Sequence, residues 1–291
     1  MKERLYSIKD LETISGIKAH TIRIWEKRYN LLDPSRTDTN IRYYSDSELR
    51  KLLNISFLVK HGFRISKVSK WDEQTLSDTI ISLENGHTDV HDFLERMTFH
   101  LINFDAPAFT RTTEEVISKF GFDDAVHTVF FPFFEKVGLY WQVGSIFPAQ
   151  EHFISNLFRQ KLIVEIDRLG LAEPNSDIIV MYLHENEMHE LSLLYYSYLA
   201  RKRGLQVYYL GQNIPLEDLR RLGKIDKVKY VFTAFINSIE KEALEQYLID
   251  MDEIFGQCKI IITGLQLKIH QPAIPENILV VESYRDFNAA V

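Results

Sequence analysis

Residues 5–44, LYSIKDLETISGIKAHTIRIWEKRYNLLDPSRTDTNIRYY, decide how the head of this 291-residue chain folds. Ser7 precedes a run in which Leu11 and Ile14 recur on one face, so it reads as the N-cap of a first helix. Gly16, after Ser15, supplies the tight turn that a helix-turn-helix needs. A second helix follows from about Lys18 to Tyr29. It carries Arg23, Lys27 and Arg28 beside the apolar Ile22, Trp25 and Tyr29, so one face packs while the other meets phosphates and base edges. Pro34 and Asn40 mark turns in the loop 33–44, which suits a small β-wing whose Arg42 and Tyr43 reach a nucleic-acid backbone. Ser45 and Glu48 then form a capping box for a third helix, with Leu49, Leu52, Leu53 and Phe57 inward and Gly62 as its stop.

Charge agrees with that reading. Residues 1–70 hold 15 Lys and Arg against 8 Asp and Glu, a surplus of 7 positive charges, so the rest of a chain at −7 carries −14. A basic head on an acidic body is the asymmetry of a nucleic-acid binder. Lys18, His20, Thr21, Arg23, Lys27, Arg28, Arg36, Arg42 and Tyr43 are its candidate contacts. Tyr6-Ser7-Ile8, Leu11, Gly16-Ile17, Thr21-Ile22-Arg23, Trp25-Glu26, Arg42-Tyr43-Tyr44 and Leu49, in this order, resemble the winged helix-turn-helix of the MerR family. The resemblance covers Leu5 to about Lys70 and implies double-stranded operator DNA as the partner.

Composition bounds the remainder. Apolar content of 45% and charged content of 26% are those of a soluble globular protein long enough for more than one core. No apolar run suffices to span a bilayer, and Met1-Lys2-Glu3-Arg4 lacks the apolar stretch of a secretory signal, so the expectation is a cytoplasmic protein with no membrane partner. The single cysteine, Cys258, excludes an internal disulfide framework and a thiolate metal cage. It precedes the apolar run Lys259-Ile260-Ile261-Ile262 and reads as a buried bystander.

Three parts follow from the change of period: a winged helix-turn-helix at 1–75, a four-helix bundle at 76–172 and a flavodoxin-like doubly wound parallel sheet at 173–291. The stretch from Trp71 to His87 is a polar connector with some helix. Beyond it Phe93, Met97 and Leu101, then Ile154, Phe158, Leu162 and Ile166, recur every four residues, with Gly121, Gly138, Gly144 and Pro148 as punctuation. From Asp177 the strands 177–183, 205–210, 230–233, 260–262 and 278–281 alternate with helices, among them 187–203 and 215–222. No sustained heptads follow Gly62, so a homo-oligomer, dimer or tetramer, has to form through the effector half.

Two further signals lie in different parts of the chain. Trp141, read as a loop residue, stands nine residues before Glu151-His152 on a helix opened by Pro148. Glu187-Met188-His189-Glu190-Leu191 follows the first strand of the sheet, with Gly204 and 209–215 beyond it. A helical bundle bearing Trp-x9-Glu-His ahead of such a sheet resembles the cobalamin-binding half of the light-sensing MerR repressors of the CarH/LitR type. The resemblance implies a non-enzymatic regulator with cobalamin, commonly adenosylcobalamin, as cofactor. It makes His189 the lower ligand of cobalt, with Trp141, Glu151 and His152 near the upper axial group. Neutral imidazole suits cobalt, and a carboxylate next to it fixes its tautomer.

The family's Asp-x-His-x-x-Gly, Ser-x-Leu and Gly-Gly elements are altered. Glu187 replaces Asp, Ser192 stands at the glycine, Thr233-Ala234-Phe235 replaces Ser-x-Leu, and Thr263-Gly264 replaces the paired glycines. Gln142 occupies the position of the photosensors' second histidine. Two alternatives therefore stay open: a regulator of the same fold with a cobalamin-independent pocket, switched by a protein partner or another ligand, and a corrinoid carrier in methyl transfer. A zinc-protease helix is excluded, because His184 and His189 are five apart and would lie roughly 140° apart around a helix. No Gly-x-Gly-x-x-Gly loop follows the first strand, which argues against a dinucleotide enzyme.

Overall fold

Reciprocal capping starts the head where local sequence requires it. In the computed structural model, which describes residues 5–36, 40–72, 75–76, 79, 89–142 and 146–291, Ser7 Oγ accepts from the Asp10 amide and Asp10 accepts from the Ser7 amide. The helix Ile8–Ser15 that follows buries Leu11 and Ile14 and ends at Gly16 with φ 70°, a left-handed conformation cheap for glycine. The second helix, Ala19–Tyr29, buries Ile22 and Trp25. A two-stranded antiparallel wing joins β1 (Ser35–Arg36) to β2 (Arg42–Tyr43). The Ser45–Glu48 capping box opens the third helix, Asp46–Lys60, and Gly62 follows its end with φ 90°. Most of the connector expected over 71–87 lies outside the described residues.

The chain divides into two compact units, Met1–Leu157 and Phe158–Val291. In the first, helices Val90–Asn103 and Ala106–Phe120 lead to a third, composite helix over 122–142. Its parts are Phe122–Ala125, a π-helical turn Val126–Phe130 and Phe131–Gln142. Gly121 does separate two helices, whereas Gly138, expected as punctuation, sits inside the last of these segments. One internal glycine costs about 1 kcal/mol against alanine, less than the burial of Phe133, Val137 and Tyr140 on the same helix returns. The head does not close its core alone. Ile102 of the helix Val90–Asn103 belongs to the same buried cluster as Leu11, Ile22, Leu52 and Leu58, and Phe99 packs against it. A long helix, Pro148–Arg168, runs from the first unit into the second.

The second unit is a parallel sheet of β3 (Ile178–His184), β4 (Gln206–Ile214), β5 (Val228–Ala234), β6 (Lys259–Thr263) and β7 (Ile278–Val280), in the order β4-β3-β5-β6-β7. This is the flavodoxin-like order the alternation of periods implied. Helices Glu190–Lys202, Lys241–Phe255 and Leu265–His270 make the crossovers, and Tyr284–Ala290 closes the chain. The helix expected over 215–222 is instead two 3-10 turns, Leu216–Leu219 and Leu222–Lys224. The chain there is drawn against another helix end: a Cβ on Gly223 would lie 2.3 Å from the Ile254 carbonyl oxygen. On one sheet face Val180, Tyr182, Val231, Ile260 and Ile262 pack with Leu244, Leu248 and Met251. On the other, Tyr196, Phe232 and Phe287 form an aromatic triad with centroids 4.5–5.4 Å apart. Cys258 is buried, as expected.

Gly264, after β6, has φ 130°, and a Cβ there would lie 2.1 Å from the Phe235 carbonyl oxygen. Backbone meets backbone, so neither side can yield. Gly264→Ala should therefore destabilise the protein by roughly 3 kcal/mol or more, read from urea unfolding. A loss below about 1 kcal/mol would mean the contact can relax.

Candidate functional site

On the head, the helix Ala19–Tyr29 turns His20, Arg23, Lys27 and Arg28 to solvent, at the i, i+3 and i+7 spacing of one face. Thr21 is half-buried, its Oγ1 3.3 Å from His20 Nε2. Lys18 pairs with Glu12 at 3.1 Å, and at the wing Arg36 Nη1 donates to Asn40 Oδ1 at 2.6 Å. Tyr43 is half-buried. Arg42 departs from the expectation that it simply reaches outward. Its Nε donates to Glu26 Oε1 at 3.0 Å, and Tyr44 donates its hydroxyl to Glu26 Oε2 at 3.1 Å. Burial first, then Glu26, push the Tyr44 phenol well above its ordinary pKa. One carboxylate thus bolts the wing to the second helix. Sequence reasoning missed Glu26 and Tyr44 as a pair, because eighteen residues separate them and neither sits in a local capping pattern.

The second constellation stands at the carboxyl ends of β3 and β5. The Glu187 side chain is fully buried and accepts five hydrogen bonds. Oε1 takes His189 Nδ1 at 2.6 Å and the amides of Met188 and His189 at 3.0 and 3.1 Å. Oε2 takes the amides of Ile236 and Asn237 at 2.8 and 2.7 Å. Burial alone would raise the pKa of this carboxyl, but the bonds from His189, Asn237 and Ile236 outweigh it and hold it at about 2. Nδ1 of His189 donates to this carboxylate, which fixes the orientation of a ring that is about half exposed. An imidazole oriented in this way is of the donor type that suits a borderline metal such as cobalt.

The next residue, Glu190, opens its helix and binds Arg159 Nε at 2.5 Å and the Tyr209 hydroxyl at 3.0 Å. Ser192 is half-buried and donates to the His189 carbonyl at 3.1 Å, which closes the helix start on itself. Below, Phe235 is fully buried, stacked on His184 at 4.9 Å and 25°, with Tyr247 at its edge. His184 and His189 lie on a strand end and a helix N-cap, not on one helix. Among the described residues no three His, Cys, Asp or Glu side chains converge on a metal ion. Thr233 Oγ1 and His184 Nε2 are buried without a hydrogen-bond partner, two polar atoms that a ligand could satisfy. Gly264 carries no such space, since Phe235 backbone fills its missing Cβ.

In the first unit, Glu151 and His152 lie on the first turn of Pro148–Arg168, their side chains 3.1 Å apart. Glu151 accepts from Ser155 at 2.5 Å, and His152 is exposed. Trp141 is not a loop residue: it ends the helix Phe131–Gln142, because Val137 and Tyr140 carry the buried face through Gly138. The side chains of Trp141 and Gln142 lie outside the described residues.

Comparison with known proteins matches two separate stretches of the chain. Residues 6–75 match the MerR HTH family of regulatory proteins, and residues 93–164 match a B12 binding domain. The HTH-type transcriptional repressor CarH of Myxococcus xanthus is 27% identical over 254 residues, covering 85% of this chain and 84% of that protein. The HTH-type transcriptional repressor CarA of the same organism is 22% identical, covering 92% and 89%. Among solved structures, the monomethylamine corrinoid protein of Methanosarcina barkeri superposes with TM-score 0.56 at 12% identity, covering 69% of this chain and 97% of that one. It shares the fold.

The Glu187 cage has a pH signature. Its pKa is depressed from 4.5 to about 2, so the stability it adds is complete above pH 4.5 and lost as pH falls through about 2. That contribution amounts to ~3 kcal/mol. Unfolding titrations should show Glu187→Gln well below wild type at pH 7, with the gap shrinking below pH 4.5. A gap that stays constant to pH 3 would mean the carboxylate is not the anion described.

Proposed function

We propose that this chain, which belongs to the MerR-type transcriptional regulators carrying a B12-binding domain, reads a corrinoid through His189 and converts its presence into a change of operator binding. The observation that carries the reading is the Glu187–His189 pair. A buried, fully hydrogen-bonded carboxylate holds the imidazole in one orientation, and an ordinary surface histidine needs no such support. Adenosylcobalamin is the form in best accord with Trp141, Glu151 and His152. When bound, the group would supply a cobalt centre capable of ligand exchange. The chain's own residues do the rest: Glu187 orients His189, while Glu190, braced by Arg159 and Tyr209, steadies the helix start behind it. Ser192, Thr233 and Gly264 border the tail side.

On the head, Arg23, Lys27, Arg28, His20 and Thr21 face the major groove, with Lys18, Arg36, Arg42 and Tyr43 toward phosphates. Two heads on a two-fold operator call for a homo-oligomer. Among the described residues, the helix after the third, Ile65–Val68, is four residues long and too short to dimerise, and we assign assembly to the rest of the body. We keep the division 1–75, 76–172 and 173–291 as the functional one, and the cytoplasm as the compartment. The buried Phe235–His184 stack supports a second reading, a pocket closed to the nucleotide tail and a regulator independent of cobalamin.

Arg23 and Arg42 should behave differently. Arg23→Ala removes a base-reading side chain, costing roughly 1–3 kcal/mol and relaxing operator preference. Arg42→Ala also breaks the Glu26 bolt, so it should weaken specific and random DNA alike, and Glu26→Gln should reproduce much of that loss with no cation removed. Gel-shift titrations at several salt concentrations decide, and unchanged affinity in all three variants would remove these residues from the interface.

Cobalamin itself is tested by gel filtration in the dark followed by absorption spectra. Wild type should retain adenosylcobalamin at micromolar concentration with a histidine-on spectrum, and His189→Ala should lose it or shift to the base-off form. No retention by wild type would falsify the corrinoid reading and favour the closed-pocket regulator.

A further inference from the structure

The helix Phe131–Gln142 touches the DNA-binding head with its last turn, through Tyr140. Tyr140 is almost fully buried, and its hydroxyl lies 3.5 Å from the Ile14 carbonyl, in the last turn of the head's first helix. One turn earlier, Lys136 lines a cavity of about 240 Å³ whose walls come from the head (Ile14, Gly16, Ser56) and from this helical domain (Phe99, Tyr140). The Lys136 ammonium lies 5.6 Å from the Tyr140 ring centroid. Across the cavity Lys60, the last residue of the head's third helix, is ion-paired with Glu95 of the helix Val90–Asn103. His91 Nε2 lies 3.1 Å from the same carboxylate. One largely buried carboxylate therefore stands among an imidazole and two ammonium groups.

What these groups hold is the turn of the helix-turn-helix. Gly16 donates its amide to the Glu12 carbonyl at 2.9 Å, Ile17 donates to Ser15 Oγ at 3.1 Å, and Ser56 Oγ lies 3.4 Å from the Ser15 carbonyl. The recognition helix starts three residues past Gly16, at Ala19. At its other end the helix Phe131–Gln142 continues directly from the π-helical turn Val126–Phe130. Such a turn carries one residue more than α-helical winding and is where a helix changes register with least disruption.

We propose that the helix Phe131–Gln142 is the coupling element of this regulator: Tyr140 and Lys136 grip the turn of the helix-turn-helix, the Glu95–Lys60 pair keeps the head in register, and the effector half acts on the head through this rod. The trigger rests on the corrinoid reading; the grip does not. Burial lowers the Lys136 pKa while Glu95 raises it, so losing Glu95 would leave two lysines facing each other without their shared counter-ion. A ligand shifts the head only by as much as it prefers one state of this rod over the other.

Charge reversal in the full chain tests the grip. Hydrogen exchange at the Gly16 and Ile17 amides is measured without cofactor, and operator affinity is measured with and without adenosylcobalamin in the dark. Glu95→Lys and Lys60→Glu should each speed exchange at these amides about tenfold or more and bring the ratio of loaded to unloaded operator affinity toward one. The double swap should restore both. Tyr140→Phe keeps the ring packing, and hence the fold, and should speed the same amides roughly threefold. Wild-type exchange in both single reversals and in Tyr140→Phe overturns the proposal, as does a double swap no better than either single. If wild type retains no cobalamin, the affinity ratio is one throughout and the corrinoid reading fails, while the exchange measurements still decide the grip.

Discussion

A carboxylate without solvent is expensive unless every lone pair is spoken for, and Glu187 meets that condition with donors from two strand ends. The loop after β3 and the loop after β5 cannot move independently while both present amides to one anion. His189 inherits its orientation from this arrangement, and Ser192 and Glu190 begin their helix from a fixed point. The substitution of Glu for Asp fits the same logic. One more methylene lets the carboxylate span from the Met188 and His189 amides to those of Ile236 and Asn237, so the altered residue is a complete device rather than a damaged one.

Beneath it, however, the chemistry is less settled in its favour. A buried hydroxyl or imidazole nitrogen with no partner costs on the order of 1–3 kcal/mol, and Thr233 and His184 each carry one. The Phe235 ring, stacked on His184, recovers part of that through area and ring contact. Beneath the Glu187 cage the space is filled by the Phe235–His184 stack, while the cage itself is polar and fully bonded.

The legible parts of this protein are those whose causes are local. Ser7 with Asp10 and Ser45 with Glu48 announce their helices because donor and acceptor are three residues apart. The strands announce themselves because all seven residues of β3 are buried, leaving an unbroken apolar run. Trp141 was misplaced because Gly138 suggests a break, and only the packing of Val137 and Tyr140 overrides it. The turns after Pro215 replace a helix because of Ile254, more than thirty residues away. Glu26 with Arg42, Glu187 with Asn237 and Lys60 with Glu95 join residues 16, 50 and 35 apart, and no periodicity encodes such pairs.

Ile102 and Phe99 complete the hydrophobic cluster of the head. A winged helix-turn-helix is usually pictured as an exchangeable cassette that evolution fuses to one sensor after another. Here the seam runs through a core rather than along a linker, so the face of the helix Val90–Asn103 travels with the head it covers. Recombination at residue 75 would leave apolar surface on both products. That helix is therefore, in physical terms, a part of the head it covers.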